Sequence, residues 1–170
     1  MKIVLCGMMG AGKTTVGALL AKLLGWRFVD SDEEIAKRFG TIADLFQSRG
    51  ERWFREAETE IIREVCLADR LVLSTGGGAV LKEENRSLFK KDGFVVYLTA
   101  SVELLEKRLQ GNTARPLLQG GNLKARLEKL LQERAKLYEE LADVTVSVDG
   151  KSVQAVAREI IERRKGAGVQ

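Results

Sequence analysis

Histidine is absent from this 170-residue sequence, and that absence alone removes many mechanisms. No Ser-His-Asp or Cys-His triad can be assembled, and no zinc site can rest on imidazole. Cysteine is scarce: Cys6 and Cys66 are the two present, far apart and without a C-x-x-C pair. That spacing argues against a metal knuckle, a thioredoxin-type motif or a disulfide scaffold, and it fits a reducing cytosol. Proline occurs once, at Pro116. No apolar run approaches the roughly 18 residues needed to span a membrane, and Met1–Gly7 is too short for a signal peptide. The expectation is a soluble, cytoplasmic protein.

What is present is enough for a globular core. The chain is 45% hydrophobic and 31% charged, and its length corresponds to one domain spanning 1–170. Lys and Arg number 28 against 24 Asp and Glu, a net charge of +4. Acids and bases are interleaved, so the excess does not form a nucleic-acid surface. The one basic cluster, Arg163-Arg164-Lys165, reads as a solvated helix end. Small anionic substrates met by arginines in a pocket are the alternative use for the charge. No exposed apolar stripe asks for a partner, which points to a monomer.

Strand-like apolar runs alternate with helix-period segments. Strands are expected at Ile3–Cys6, Arg27–Asp30, Leu71–Ser74, Phe94–Leu98 and Val144–Val148. Helices are expected at Lys13–Leu24, Asp32–Phe39, Thr41–Ser48, Glu51–Ala68, Lys82–Lys91, Val102–Gln110, Leu123–Leu141 and Val153–Arg164. Gly40 and Gly50 stop the second and third, and Thr41 with Asp44 resembles a capping box. Residues 111–122 break the rhythm and read as a mobile loop. Five short apolar strands separated by helices imply a three-layer α/β fold around a parallel sheet.

The strongest local signal is Gly7-Met8-Met9-Gly10-Ala11-Gly12-Lys13-Thr14, which fits G-x-x-x-x-G-K-[ST] at the first strand-to-helix junction. Its glycines allow the tight turn that aims successive N–H groups at phosphate oxygens, and the helix that follows adds its dipole. Lys13 would reach the β- and γ-phosphates and the Thr14 hydroxyl would ligate Mg²⁺. The loop implies a nucleoside triphosphate without saying what is done with it. GTPase segments D-x-x-G and N-K-x-D are absent, and the third strand lacks a terminal Asp for the metal.

Other segments could serve an acceptor. Asp30-Ser31-Asp32 ends the second strand, where strand carboxyl ends face the ligand crevice. A carboxylate there can hold Mg²⁺ through water or accept a hydrogen bond from an attacking hydroxyl, although Asp32 could equally be a helix cap. In Gly50-Glu51-x-x-Phe54-Arg55-x-x-Glu58, Arg55 can pair with Glu51 and Glu58, so an ordinary surface salt-bridge ladder explains it as well. Gly76-Gly77-Gly78 suits a backbone that approaches a ligand closely. Arg115, beside Pro116, could swing over a transferring phosphoryl group, and Arg134 has the same surface alternative as Arg55.

Taken in order, the phosphate loop, Asp30-x-Asp32, the Gly50–Glu58 segment, Gly76-Gly77-Gly78, Arg115-Pro116-Leu117-Leu118 and Arg134-x-x-x-Tyr138 resemble the shikimate kinase family over nearly the whole chain. The resemblance implies a P-loop kinase with a five-stranded parallel sheet flanked by helices, an acceptor region at about 31–62 and a mobile lid at about 111–122. It implies transfer of the γ-phosphoryl of ATP to the 3-hydroxyl of shikimate, in the chorismate route to aromatic amino acids. By position, Asp32 would hold the reacting hydroxyl, and Arg55, Arg134 and the Gly77 and Gly78 backbone would bind shikimate. ATP would meet Gly10, Ala11, Gly12, Lys13, Thr14, Thr15, Arg108, Arg115 and Lys151. Lys13, Arg115 and Asp32 would bear on catalysis, while Thr14 and, through water, Asp30 would serve Mg²⁺. A gluconate or nucleotide kinase of similar fold, and a P-loop regulatory module without turnover, are the competing readings.

Overall fold

The computed structural model describes residues 1–111 and 122–168. Its strands are β1 (Lys2–Cys6), β2 (Arg27–Asp30), β3 (Leu71–Ser74), β4 (Gly93–Thr99) and β5 (Val144–Ser147). They form one sheet in the order β2-β3-β1-β4-β5, and every neighbouring pair is parallel. Parallel strands are covered on both faces, which explains the continuous apolar character of β1 and β3. Ile3 to Cys6 and Leu71 to Leu73 are all 0% exposed. Each such aliphatic side chain contributes roughly 1.5–3 kcal/mol on burial, so the sheet centre holds the fold together.

The helices are α1 (Lys13–Leu24), α2 (Ser31–Phe39), α3 (Ile42–Val65), α4 (Glu83–Lys90), α5 (Val102–Leu109), α6 (Leu123–Leu141) and α7 (Val153–Gly166). α1 packs with α7 and lies against β1, β2 and β3, whereas α4 and α6 lie against β4. A second, smaller apolar cluster of Ile35, Leu45, Phe54 and Ile61 joins α2 to α3. It stiffens the excursion between β2 and β3 independently of the main core.

Gly50 stands between two helical runs, as expected: at φ 78° and ψ 168° it is non-helical and kinks α3 there. One local reading changes. A 3-10 turn at Ala79–Leu81, buried at Ala79 and Val80, precedes α4 where only a glycine turn is expected. The lid expected at 111–122, with Arg115 and Pro116, lies from 112 to 121 outside the described residues.

Register positions the site. Leu5 of β1 and Asp30 of β2 both align with Ser74 of β3. The phosphate loop, Asp30 and the Gly76–Gly78 turn therefore leave the sheet side by side at its carboxyl edge.

Candidate active site

The phosphate loop turns on glycines at positive φ: Gly7 at 137°, Gly10 at 82° and Gly12 at 90°. Gly12 is the N-cap of α1 and no side chain caps that helix, which leaves its dipole and first N–H groups to an anion. Lys13 is buried, and its ammonium donates to the carbonyls of Gly7 at 2.9 Å and Met8 at 2.8 Å. The cavity above the loop is lined by Lys13, Thr14, Thr15, Asp30, Asp32 and Gly77 among others.

Thr14 Oγ1 donates to Asp30 Oδ2 at 2.6 Å. The other oxygen, Asp30 Oδ1, accepts from the backbone N–H of Asp32 at 3.0 Å and Glu33 at 3.4 Å. Asp30 is thus the N-cap of α2, and the capping role considered for Asp32 falls to it. Asp32, two residues further on, is half-buried and lines both the cavity above the loop and the one beyond it.

Beyond the loop, a further cavity is lined by Val148, Val153 and Val156 together with Arg108 and Lys151. Arg108 Nη1 donates to Gly10 O at 2.9 Å. Lys151 reaches the same cavity from the turn after β5 and pairs with Glu159 at 2.7 Å. Two cations distant in sequence thus flank one apolar slot, a shape suited to a planar base.

On the opposite side lies an acceptor cavity. Arg55, Arg134, Asp32, Glu58 and the Gly76–Gly78 turn face it, and Ile42, Phe46 and Phe54 form an apolar wall. The salt-bridge ladder considered for α3 is not a surface ladder: Glu58 is 0% exposed and the Arg55 side chain 11%. Arg55 Nη1 donates to Glu58 Oε2 at 2.7 Å, and Nη2 to the more exposed Glu51 at 3.4 Å. Burial opposes the Arg55 charge, but Glu58 and Glu51 more than offset it and hold its pKa above the ordinary value. Burial also lifts the Glu58 carboxyl to about 7, with Arg55 and Arg134 pulling down and Asp32 pushing up.

Arg134 is 2% exposed, and its Nε and Nη1 have no hydrogen-bond partner among the described residues. Arg55 Nε is in the same condition. Buried guanidinium donors left unpaired are costly, so these three mark where the cavity wall can receive an anion. One turn along α6, the Tyr138 hydroxyl donates to Gly77 O and its ring stacks on Tyr97 at 4.9 Å. α6 therefore carries the cation and clamps the glycine turn with consecutive turns of one face.

The phosphate cavity and the acceptor cavity share Met9, Asp32 and Gly77. Asp32 stands at that junction, between an anion-binding loop and a pocket with two buried arginines. The shikimate kinase family model matches residues 9–165 of this chain. The chain belongs to the shikimate kinase family. A shikimate kinase from Methylococcus capsulatus is 45% identical over 169 residues, covering 99% of this chain and 94% of that protein. Another, from Thioalkalivibrio sulfidiphilus, is 46% identical over 93% of this chain and 84% of its own length. A solved shikimate kinase from Acinetobacter baumannii, in complex with shikimate, superposes with a TM-score of 0.96 at 42% identity, covering 99% and 95% of the two chains.

Within this shikimate kinase family member, the expected residues fall into three adjoining cavities, apart from Arg115, which lies outside the described residues. Sequence reasoning quoted Glu58 without giving it a place in the site. It also passed over the Ile42–Phe46–Phe54 wall. The i+3 spacing from Arg55 is the available signal for Glu58, but that helix face is closed by the Gly76–Gly78 turn, which is remote in sequence.

Proposed function

We propose that this chain transfers the γ-phosphoryl of ATP to the 3-hydroxyl of shikimate, giving ADP and shikimate 3-phosphate for aromatic amino acid biosynthesis. The observation that carries the reading is the placement of Asp32 where the phosphate and acceptor cavities meet. An acceptor whose carboxylate lies on Arg55 and Arg134 is held by guanidinium forks that match its geometry. The apolar wall of Ile42, Phe46 and Phe54 suits the ring face of such an acceptor. The Gly77 and Gly78 backbone contributes contacts to the ring substituents.

Asp32 then orients the reacting hydroxyl and accepts its proton as the oxygen–phosphorus bond forms. The loop residues Gly10 to Thr15 bind the phosphates, and Arg108 and Lys151 flank the base. Lys13 and Arg115 bear the charge that spreads over the transferring group, with Arg115 acting from a lid at 111–122 that shields the reaction from water. In-line transfer needs positioning and charge neutralisation, and so no imidazole.

The Thr14 hydroxyl and Asp30 carboxylate, 2.6 Å apart beside the phosphate cavity, are hard oxygen donors that fit Mg²⁺. Thr14 would hold the ion directly and Asp30 through water, with substrate phosphates and further waters completing its shell. When bound, Mg²⁺ supplies neutralisation of charge on the β- and γ-phosphates. No helix among the described residues is long and apolar enough to cross a membrane. We place the protein in the cytosol as a monomer of one domain, with acceptor-binding residues concentrated at 31–62 and no nucleic-acid role.

The test is ADP release measured side by side with shikimate, gluconate and nucleoside monophosphates. Turnover confined to shikimate is expected. Preference for gluconate or a nucleotide would replace the acceptor, and no turnover with any of them would favour a binding module.

A further inference from the structure

Glu58 has one oxygen that the site does not explain. Oε2 accepts from Arg55, but Oε1 has no hydrogen-bond partner among the described residues, although the residue is 0% exposed and lines the acceptor cavity. An ionised carboxylate oxygen buried without a donor is costly. Asp32 Oδ1 and Glu58 Oε1 approach Gly76 together: a Cβ on that residue would lie 2.6 Å from the first and 2.7 Å from the second. Two carboxylates thus face each other across a glycine, and like charges so placed disfavour double ionisation.

The charges around Glu58 come from three helices. Arg55 and the more exposed Glu51 are on its own helix α3, Asp32 comes from α2 and Arg134 from α6. With Asp32, Glu58 and Glu51 ionised, carboxylates already face the guanidinium groups of the cavity. An entering acceptor carboxylate would then add an unbalanced negative charge in a water-poor site. It would also occupy Arg55 and Arg134, the two groups that hold Glu58 in its ionised form.

We propose that Glu58 is the proton-uptake residue of the acceptor pocket: a carboxylate-bearing acceptor enters together with one proton from solvent, which settles on Glu58 Oε1. The added negative charge is then offset, and the unpartnered oxygen becomes a hydroxyl. This inference rests on the reading that the acceptor carries a carboxylate.

The direction of the linkage follows. In the free protein Glu58 titrates at about 7. Well below that it is already protonated, so binding takes up nothing and affinity is flat. Above it, each binding event draws in a proton, and acceptor affinity weakens by up to about tenfold per pH unit.

Isothermal titration calorimetry of shikimate binding, in phosphate, HEPES and Tris, reads the proton count from the buffer dependence of the heat. About one proton at most is expected near pH 8 and almost none near pH 5.5. Glu58→Gln should abolish the uptake and flatten the pH dependence. Buffer-independent heat near pH 8, or undiminished uptake in Glu58→Gln, would overturn the proposal. Should that variant lose binding, carbon-13 NMR of glutamate carboxyls in the native protein decides. A Glu58 signal moving to the protonated position on shikimate addition supports it, and an unmoved signal overturns it. If shikimate itself gives no heat, the functional reading fails, and the same titration with the acceptor found by turnover decides the linkage. An acceptor without a carboxylate would end it.

Discussion

The Arg55 guanidinium fills the space in which a side chain on residue 78 would begin. A Cβ at Gly78 would lie 2.5 Å from Arg55 Cζ and 2.7 Å from Nη1. The backbone there, at φ −96° and ψ −2°, suits any residue, so the glycine is required by the neighbour and not by the turn. Gly78→Ala should therefore fold, since the arginine can yield, but it should push the guanidinium off its station against Glu58. We expect KM for shikimate to rise on the order of tenfold or more, about 1.4 kcal/mol of lost binding, with ATP affinity unchanged. Steady-state kinetics and a nucleotide titration separate these. Equal loss of both affinities would contradict the placement of Arg55.

Asp32 touches both cavities, while Asp30 caps α2 and reaches Thr14. Asp32→Asn preserves shape and removes the proton acceptor. Its kcat should fall by roughly 10²–10⁴, with nucleotide binding nearly native. Normal turnover with weakened ATP binding would reassign the residue to the metal side.

Arg115 is proposed to act on the transferring group from the lid. Arg115→Ala should depress kcat by about 10³ or more while leaving the dissociation constant of shikimate within a few-fold of native. Pre-steady-state ADP release together with equilibrium binding tests this. An unchanged kcat would remove Arg115 from the transition state.

Stability carries its own pH signature. The Glu58 carboxyl sits at about 7 in the folded chain against an ordinary 4.5. A carboxyl raised on folding favours the folded state while protonated, so this contribution is complete below 4.5 and is lost as pH climbs through about 7. Glu58→Gln stays neutral throughout. Melting temperatures of the two proteins should move apart in the variant's favour across that window and run parallel above it. The span is on the order of a few kcal/mol, since one pKa unit corresponds to about 1.4 kcal/mol. A difference that does not change with pH would refute the assignment.

The phosphate loop was legible because its geometry is local: Gly7, Gly10 and Gly12 encode positive φ at fixed spacing just before a helix. The five strands were legible for a similar reason, since a strand buried on both faces is a continuous apolar run. Asp30 and Asp32 were harder. A shift of one residue in the helix start decides which carboxylate is tied to the backbone, and residue type does not reveal it. Arg55, Glu58 and Arg134 were less legible still. Their spacing is that of solvent-exposed ladders, and only the tertiary fold, with the glycine turn against Arg55 and Glu58, buries them. The resemblance to shikimate kinases supplied the arginines; the buried Glu58 came from the fold.

The strand order divides the molecule's chemistry by address. β1, β4 and β5 carry the phosphate-loop side, whereas β2 forms an outer edge that among the described residues pairs with β3 alone. The excursion between β2 and β3, with its own apolar cluster, supplies Asp32, Arg55, Glu58 and the apolar wall. On the proposed function, acceptor choice is written at the rim of the sheet, where chain can be lengthened or rebuilt without disturbing the central strand. A redesign toward a new acceptor has to rewrite that edge and Arg134 on α6, and can leave the phosphate loop untouched.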